Sequence, residues 1–172
     1  PKIFHIATHG FYKPTAQVTL EQEIQGSEAT LNQNPLMRTG LLLRGAGDLM
    51  DKTEHNYNME SGILTAYEAM SLNLDKTDLV VLSACETGLG DLEAGEGVYG
   101  LQRAFLVAGA KVLIMSMFKV DDDATQKLML MFYQKWLNSS NLRESFVAAK
   151  KELRIDYPEP IYWGAFMMIG LD

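Results

Sequence analysis

Short unbroken apolar runs alternate along this chain with longer stretches of helical periodicity. Leu79-Val80-Val81-Leu82 and Val112-Leu113-Ile114-Met115 are too short for typical helices, and their β-branched residues mark strands buried on both faces. Ile3 to Thr8 forms a third run, stopping at His9-Gly10, and Gly40-Leu41-Leu42-Leu43 a fourth, with Arg44-Gly45-Ala46-Gly47-Asp48 as its turn. Leu64 to Met70 reads as a short helix, with Thr65 as N-cap and Glu68 at capping-box spacing. From Glu96, Val98, Leu101, Phe105 and Ala108 recur at helical spacing, and Gly109 is the stop. Leu128, Met131, Phe132 and Trp136 predict a helix over 124–137, and Leu142, Phe146, Ala149 and Leu153 predict another, whose final turns carry Lys150, Lys151 and Arg154. After Pro158-Glu159-Pro160 a last apolar strand is expected over 163–169. Alternating strands and helices predict an α/β fold around a mostly parallel sheet.

The remaining segments are polar. Residues 11–35 make a connection longer than usual, read as a variable surface loop or as a segment gating substrate. Residues 48–60 lack periodicity and read as an exposed loop, with His55 a solvated surface residue. No linker, repeat or low-complexity tract divides the chain, so residues 1–172 are read as one domain.

Composition narrows the function classes. A chain of 172 residues buries about 70 % of its unfolded surface and needs no staple. The net charge of −7 argues against a nucleic-acid backbone or an anionic membrane as partner. One cysteine cannot form an internal disulfide, which fits a reducing, cytoplasmic setting. No run reaches the length of a membrane span, and no signal-peptide pattern opens the chain. Because Pro1 immediately precedes a strand, the chain is expected to be part of something longer.

That single cysteine, Cys85, sits just past the end of a central strand, where open α/β sheets place their ligands. It has two readings: an inert buried thiol, or a nucleophile paired with the histidine at the end of the first strand, His9. In the second reading imidazole favours the thiolate and later protonates a leaving amine. His5 lies on the same face as His9, but four residues along a strand is about 13 Å, too far to share a metal. It is read as a core or supporting residue. The glycines at 88, 90, 95 and 97 lack a phosphate-binding motif, and Asp91, Glu93 and Glu96 would repel a phosphate, so their use is read as backbone freedom in a nucleophile loop. In Asp121-Asp122-Asp123 at least one carboxylate is expected to cap the helix that follows. The methionines of the late helices are read as core filler.

Ala7-Thr8-His9-Gly10, Asn34-Pro35-Leu36, Gly62-Ile63-Leu64-Thr65-Ala66, the stretch 79–90 (LVVLSACETGLG), Gly95-Glu96-Gly97-Val98, Arg103-Ala104-Phe105, Ala108-Gly109-Ala110, Val120-Asp121-Asp122, Ala124-Thr125 and Tyr162-Trp163-Gly164-Ala165-Phe166 together resemble the CHAT domain. That is the bacterial caspase-like cysteine peptidase domain of clan CD, usually found behind tetratricopeptide repeats. The resemblance implies a caspase-hemoglobinase α/β/α sandwich with a mostly parallel sheet, and N-terminal strands that this chain lacks. It implies a Cys85/His9 endopeptidase acting on a protein or peptide, an oxyanion hole near Gly10 and Cys85, and an adjoining repeat domain. From the related separases it implies that Asp122 binds a basic P1 side chain, with the substrate strand adding near Ser116, Met117 and Phe118. Most members have tryptophan where this chain has Phe118. No metal or organic cofactor is required. A non-catalytic scaffold is the alternative.

Overall fold

The computed structural model describes residues 1–12, 34–44, 46, 62–86, 94–118 and 120–170, with only the backbone described at 84–86 and 94–98. Six strands form one sheet: β1 (Ile3–Tyr12), β2 (Thr39–Leu42), β3 (Ile63–Thr65), β4 (Leu79–Glu86), β5 (Val112–Ser116) and β6 (Phe166–Gly170). Their spatial order is β3-β2-β1-β4-β5-β6. The central strands β1, β4 and β5 are parallel, whereas β2 and β6 run the other way, so four of the six strands share one direction.

The alternation within β4 dictates the layers. Val80 and Leu82 pack with Leu41, Leu101, Phe105, Leu113 and Met115 on one face. Leu79 and Val81 pack with Val112, Ile114, Leu128, Phe132, Phe146 and Leu153 on the other. A strand buried on both faces requires helices on both sides. They are α1 (Ala66–Ala69) and α2 (Ala94–Val107) on the first face, and α3 (Asp122–Ser139), α4 (Leu142–Asp156) and α5 (Pro160–Gly164) on the second. The result is a three-layer α/β/α sandwich. Phe105 and Phe132 are fully buried at its two cores, each contributing about 1.5–3 kcal/mol of apolar burial.

Several boundaries differ from the sequence reading for reasons visible in the pairing. β1 runs on to Tyr12 because β2 pairs with residues 9–12. Residues 63–65 belong to a strand paired with β2, so α1 begins only after Thr65. The capping box there is present, Glu68 N–H donating to Thr65 Oγ1 and Thr65 N–H to the Glu68 carboxylate. Residues 160–164 are helical, so Trp163 and Gly164, expected to open the last strand, belong to α5. Pro160 occupies the first turn of α5, where its missing N–H costs nothing, and β6 starts after it. Gly109 ends the α2 region at φ +104°, and a Cβ there would meet Asp75.

β1 contributes to a hydrophobic core on one side only. Phe4 and Ile6 pack toward α2, while Ile3, His5, Ala7 and His9 are exposed on the α3 face. Residues 3–10 all pair with β4, but only 9–12 pair with β2. Along 3–8 no described strand lies on the second edge, where the resemblance expects further strands. Of the segments expected as loops, residues 13–33 of 11–35 and all of 48–60, with His55, lie outside the described residues, as do 87–93 of the glycine loop, whose Gly95 and Gly97 fall instead in α2.

Candidate active site

β1 and β4 advance in parallel with an unbroken register that pairs Ile3 with Leu79 and, six residues on, His9 with Cys85. Paired residues of adjacent strands occupy the same face, about 4.8 Å apart in the hydrogen-bonding direction. The two candidate residues are therefore neighbours near the C-terminal ends of the central parallel strands. His9 lies on the face bearing α3, where β1 is exposed beyond the contact of His5 with that helix. His9 is consequently exposed, and among the described residues no side chain hydrogen-bonds its imidazole.

Next to it, Gly10 is buried and pairs with Leu41 on one side and Glu86 on the other. Its amide faces one of those strands. Serving an oxyanion would require the end of β1 to open, since a donor must point at the position where charge develops. The Thr8 hydroxyl donates to the Leu42 carbonyl and ties β1 to β2 at this level.

The end of β5 lies on the other side of β4. Ser116 is buried and pairs with Phe166, and the Met117 N–H donates to the Ala165 carbonyl at 2.8 Å. The Ser116 backbone is thus paired with β6, and that of Met117 is held by Ala165 just before it. Phe118 is 43 % exposed. Asp121 is the N-cap of α3, its carboxylate accepting from the Ala124 N–H at 2.9 Å. Asp122 is the first helical residue and exposed, leaving its carboxylate outside that cap.

His5 is not in the core. Its Nδ1 lies 3.0 Å from the Tyr133 hydroxyl, with ring centroids 5.8 Å apart. Loss of water at this contact lowers the His5 pKa and raises that of Tyr133. Tyr133 was not legible as part of any site, because the contact spans 128 positions and no local pattern announces it. Lys150, in the expected basic turns of α4, donates to the Phe166 carbonyl at 2.8 Å, and burial lowers its pKa. Among the described residues no group of three His, Cys, Asp or Glu could hold a metal.

A sheet of mainly parallel strands between two helical layers, with histidine and cysteine as register partners at its C-terminal edge, defines a caspase-like α/β domain. The family model of the CHAT domain matches residues 1–171, and the chain belongs to that family. It is also similar to tetratricopeptide repeat protein 28 of Mus musculus, 27 % identical over 173 residues that cover 98 % of this chain and 7 % of that protein. The Homo sapiens protein of the same name is 32 % identical over 112 residues, covering 64 % of this chain and 4 % of its own. The chain thus spans a small fraction of the length of these relatives.

Proposed function

We propose that this domain is a cysteine endopeptidase with Cys85 as nucleophile and His9 as its acid–base partner. The observation that supports the reading most is their register pairing on adjacent parallel strands. In the reaction the Cys85 sulfur bonds to the scissile carbonyl carbon, with His9 holding the thiol proton. The C–N bond then breaks as His9 gives that proton to the leaving amine. Water, deprotonated by His9, attacks the resulting thioester, and the thiol leaves with the carboxyl product released. An amide from the turn after Cys85, and that of Gly10 once β1 opens, would bind the oxyanion.

Asp122 would select a basic P1 residue. A carboxylate outside the helix cap can form a charge-assisted pair with a guanidinium, and Phe118 and Met117 offer apolar surface to the stem of that side chain. An adjoining tetratricopeptide-repeat domain would present the substrate or regulate access, a proposal supported by the names of the two mammalian relatives. The substrate is a protein, and the net charge of −7 disfavours a direct nucleic-acid partner. No helix of the described residues is long and apolar enough to cross a membrane.

A second reading, a non-catalytic scaffold, is favoured by one observation: no described side chain orients the His9 imidazole. Replacing Cys85→Ala separates the two. Loss of cleavage of a partner protein with the fold intact is expected, and persistent cleavage would remove Cys85 as nucleophile.

A further inference from the structure

The contact between His5 and Tyr133 lies outside the chemistry proposed above, yet it joins the strand that carries His9 to the helix that carries Asp122. Tyr133 and Asp122 are eleven residues apart on α3. Eleven residues are close to three full turns, so both positions lie on one stripe of the helix, about 16 Å apart along its axis. His5 and His9 likewise share one face of β1, about 13 Å apart. α3 starts beyond the C-terminal end of β5 and runs back along the sheet, antiparallel to β1. Passing from Tyr133 to Asp122 therefore goes the same way as passing from His5 to His9. With Tyr133 fixed at His5, Asp122 falls about 3 Å beyond the level of His9, on the flank of α3 that faces β1.

We propose that Tyr133 is a positioning residue: its hydrogen bond to His5 sets the register of α3 against β1 and so holds the Asp122 carboxylate level with the dyad. The proposal rests on the reading of Asp122 as the site for a basic P1 side chain. The packing of Leu128 and Phe132 holds α3 on β4 and β5, and the hydrogen bond of 3.0 Å from Tyr133 to His5 adds a directional tie to β1, which weakens steeply as its geometry is lost. On the β1 side, where Ile3, Ala7 and His9 are uncovered, the contact is placed where apolar packing is thinnest.

The test uses peptidyl chloromethyl ketones, which alkylate the nucleophile with loss of chloride and differ only at P1, arginine against its uncharged isostere citrulline, applied to the full-length protein. Labelling of Cys85 is followed by mass spectrometry, with iodoacetamide as a probe blind to P1. The arginine probe should react faster than the citrulline probe, and Asp122→Asn should erase the difference. Tyr133→Phe, which keeps the ring against Phe132 and Trp136, should reduce the arginine-to-citrulline ratio at least threefold and leave the iodoacetamide rate unchanged. His5→Gln, which keeps a polar partner for the hydroxyl, should retain more of the ratio than His5→Leu. An unchanged ratio in Tyr133→Phe, with the ratio lost in Asp122→Asn, overturns the proposal and leaves the P1 reading standing. Equal slowing of all three probes in Tyr133→Phe overturns it too, by assigning Tyr133 to the dyad or the fold. A ratio of one in the unmodified protein removes the P1 reading and this proposal together.

Discussion

The strands on either side of the His9–Cys85 pair are built differently. On the β4–β5 side, Leu79, Val80, Val81, Leu113 and Ile114 are fully buried, and both faces are packed by helices. On the β1 side one face is packed and the other exposes Ile3, His5, Ala7 and His9. Stability is therefore concentrated in β4, β5 and the aromatic cluster of α3 and α4. The candidate pair sits where that packing stops: His9 is exposed, while the strand that carries Cys85 is held by the core.

The largest expected effect tests this contrast directly. Phe132 stacks on Trp136 and meets Phe146 edge-on, so Phe132→Ala should cost about 3–5 kcal/mol in urea unfolding, as large-to-small core substitutions do. Ile3→Ala, at a side chain already 40 % exposed, should cost under about 1 kcal/mol. Equal losses at the two sites would erase the distinction between the halves.

A smaller effect sharpens the view of the cleft. Asp121→Ala removes the N-cap bond to Ala124 and should destabilise by about 1 kcal/mol, whereas Asp122→Ala should leave the unfolding midpoint nearly unchanged. A comparable loss in Asp122→Ala would place that carboxylate in the fold rather than in substrate binding.

The smallest effect is a pH dependence at His5. Burial lowers its pKa from 6.5 in the folded chain, so below 6.5 the unfolded chain binds more protons than the folded one. The contribution of the neutral ring is complete above 6.5 and is lost as pH falls through the lowered value. Urea midpoints at decreasing pH should fall less steeply in His5→Gln than in the unmodified protein, and identical slopes would show that the ring does not titrate with folding.

What could be read in advance follows from where the information lies. β4 and β5 were legible because burial on both faces leaves a continuous apolar run. The capping box at Thr65 and Glu68 was legible because it is local. The extension of β1 to Tyr12 was not, since it depends on pairing with β2 some thirty residues away. The helix at Pro160–Gly164 was hidden by an apolar, aromatic sequence that also suits a strand, although Pro160 in its first turn was an available signal. His9 and Cys85 were legible as lying close to two strand ends, but both fall inside their strands, β1 running three residues past His9 and β4 one past Cys85, and their direct register required the sheet order. The tie between His5 and Tyr133 had no local signature at all.

The measurement that bears most directly on the central claim is the rate of Cys85 alkylation by a small electrophile as a function of pH, in the unmodified protein and in His9→Ala. The account predicts a titration well below the ordinary thiol value of about 8.5, and a slower reaction near neutral pH when His9 is removed, because the imidazole then no longer favours the thiolate. An unshifted titration, the same in both proteins, would contradict a functional dyad and leave the scaffold reading in its place.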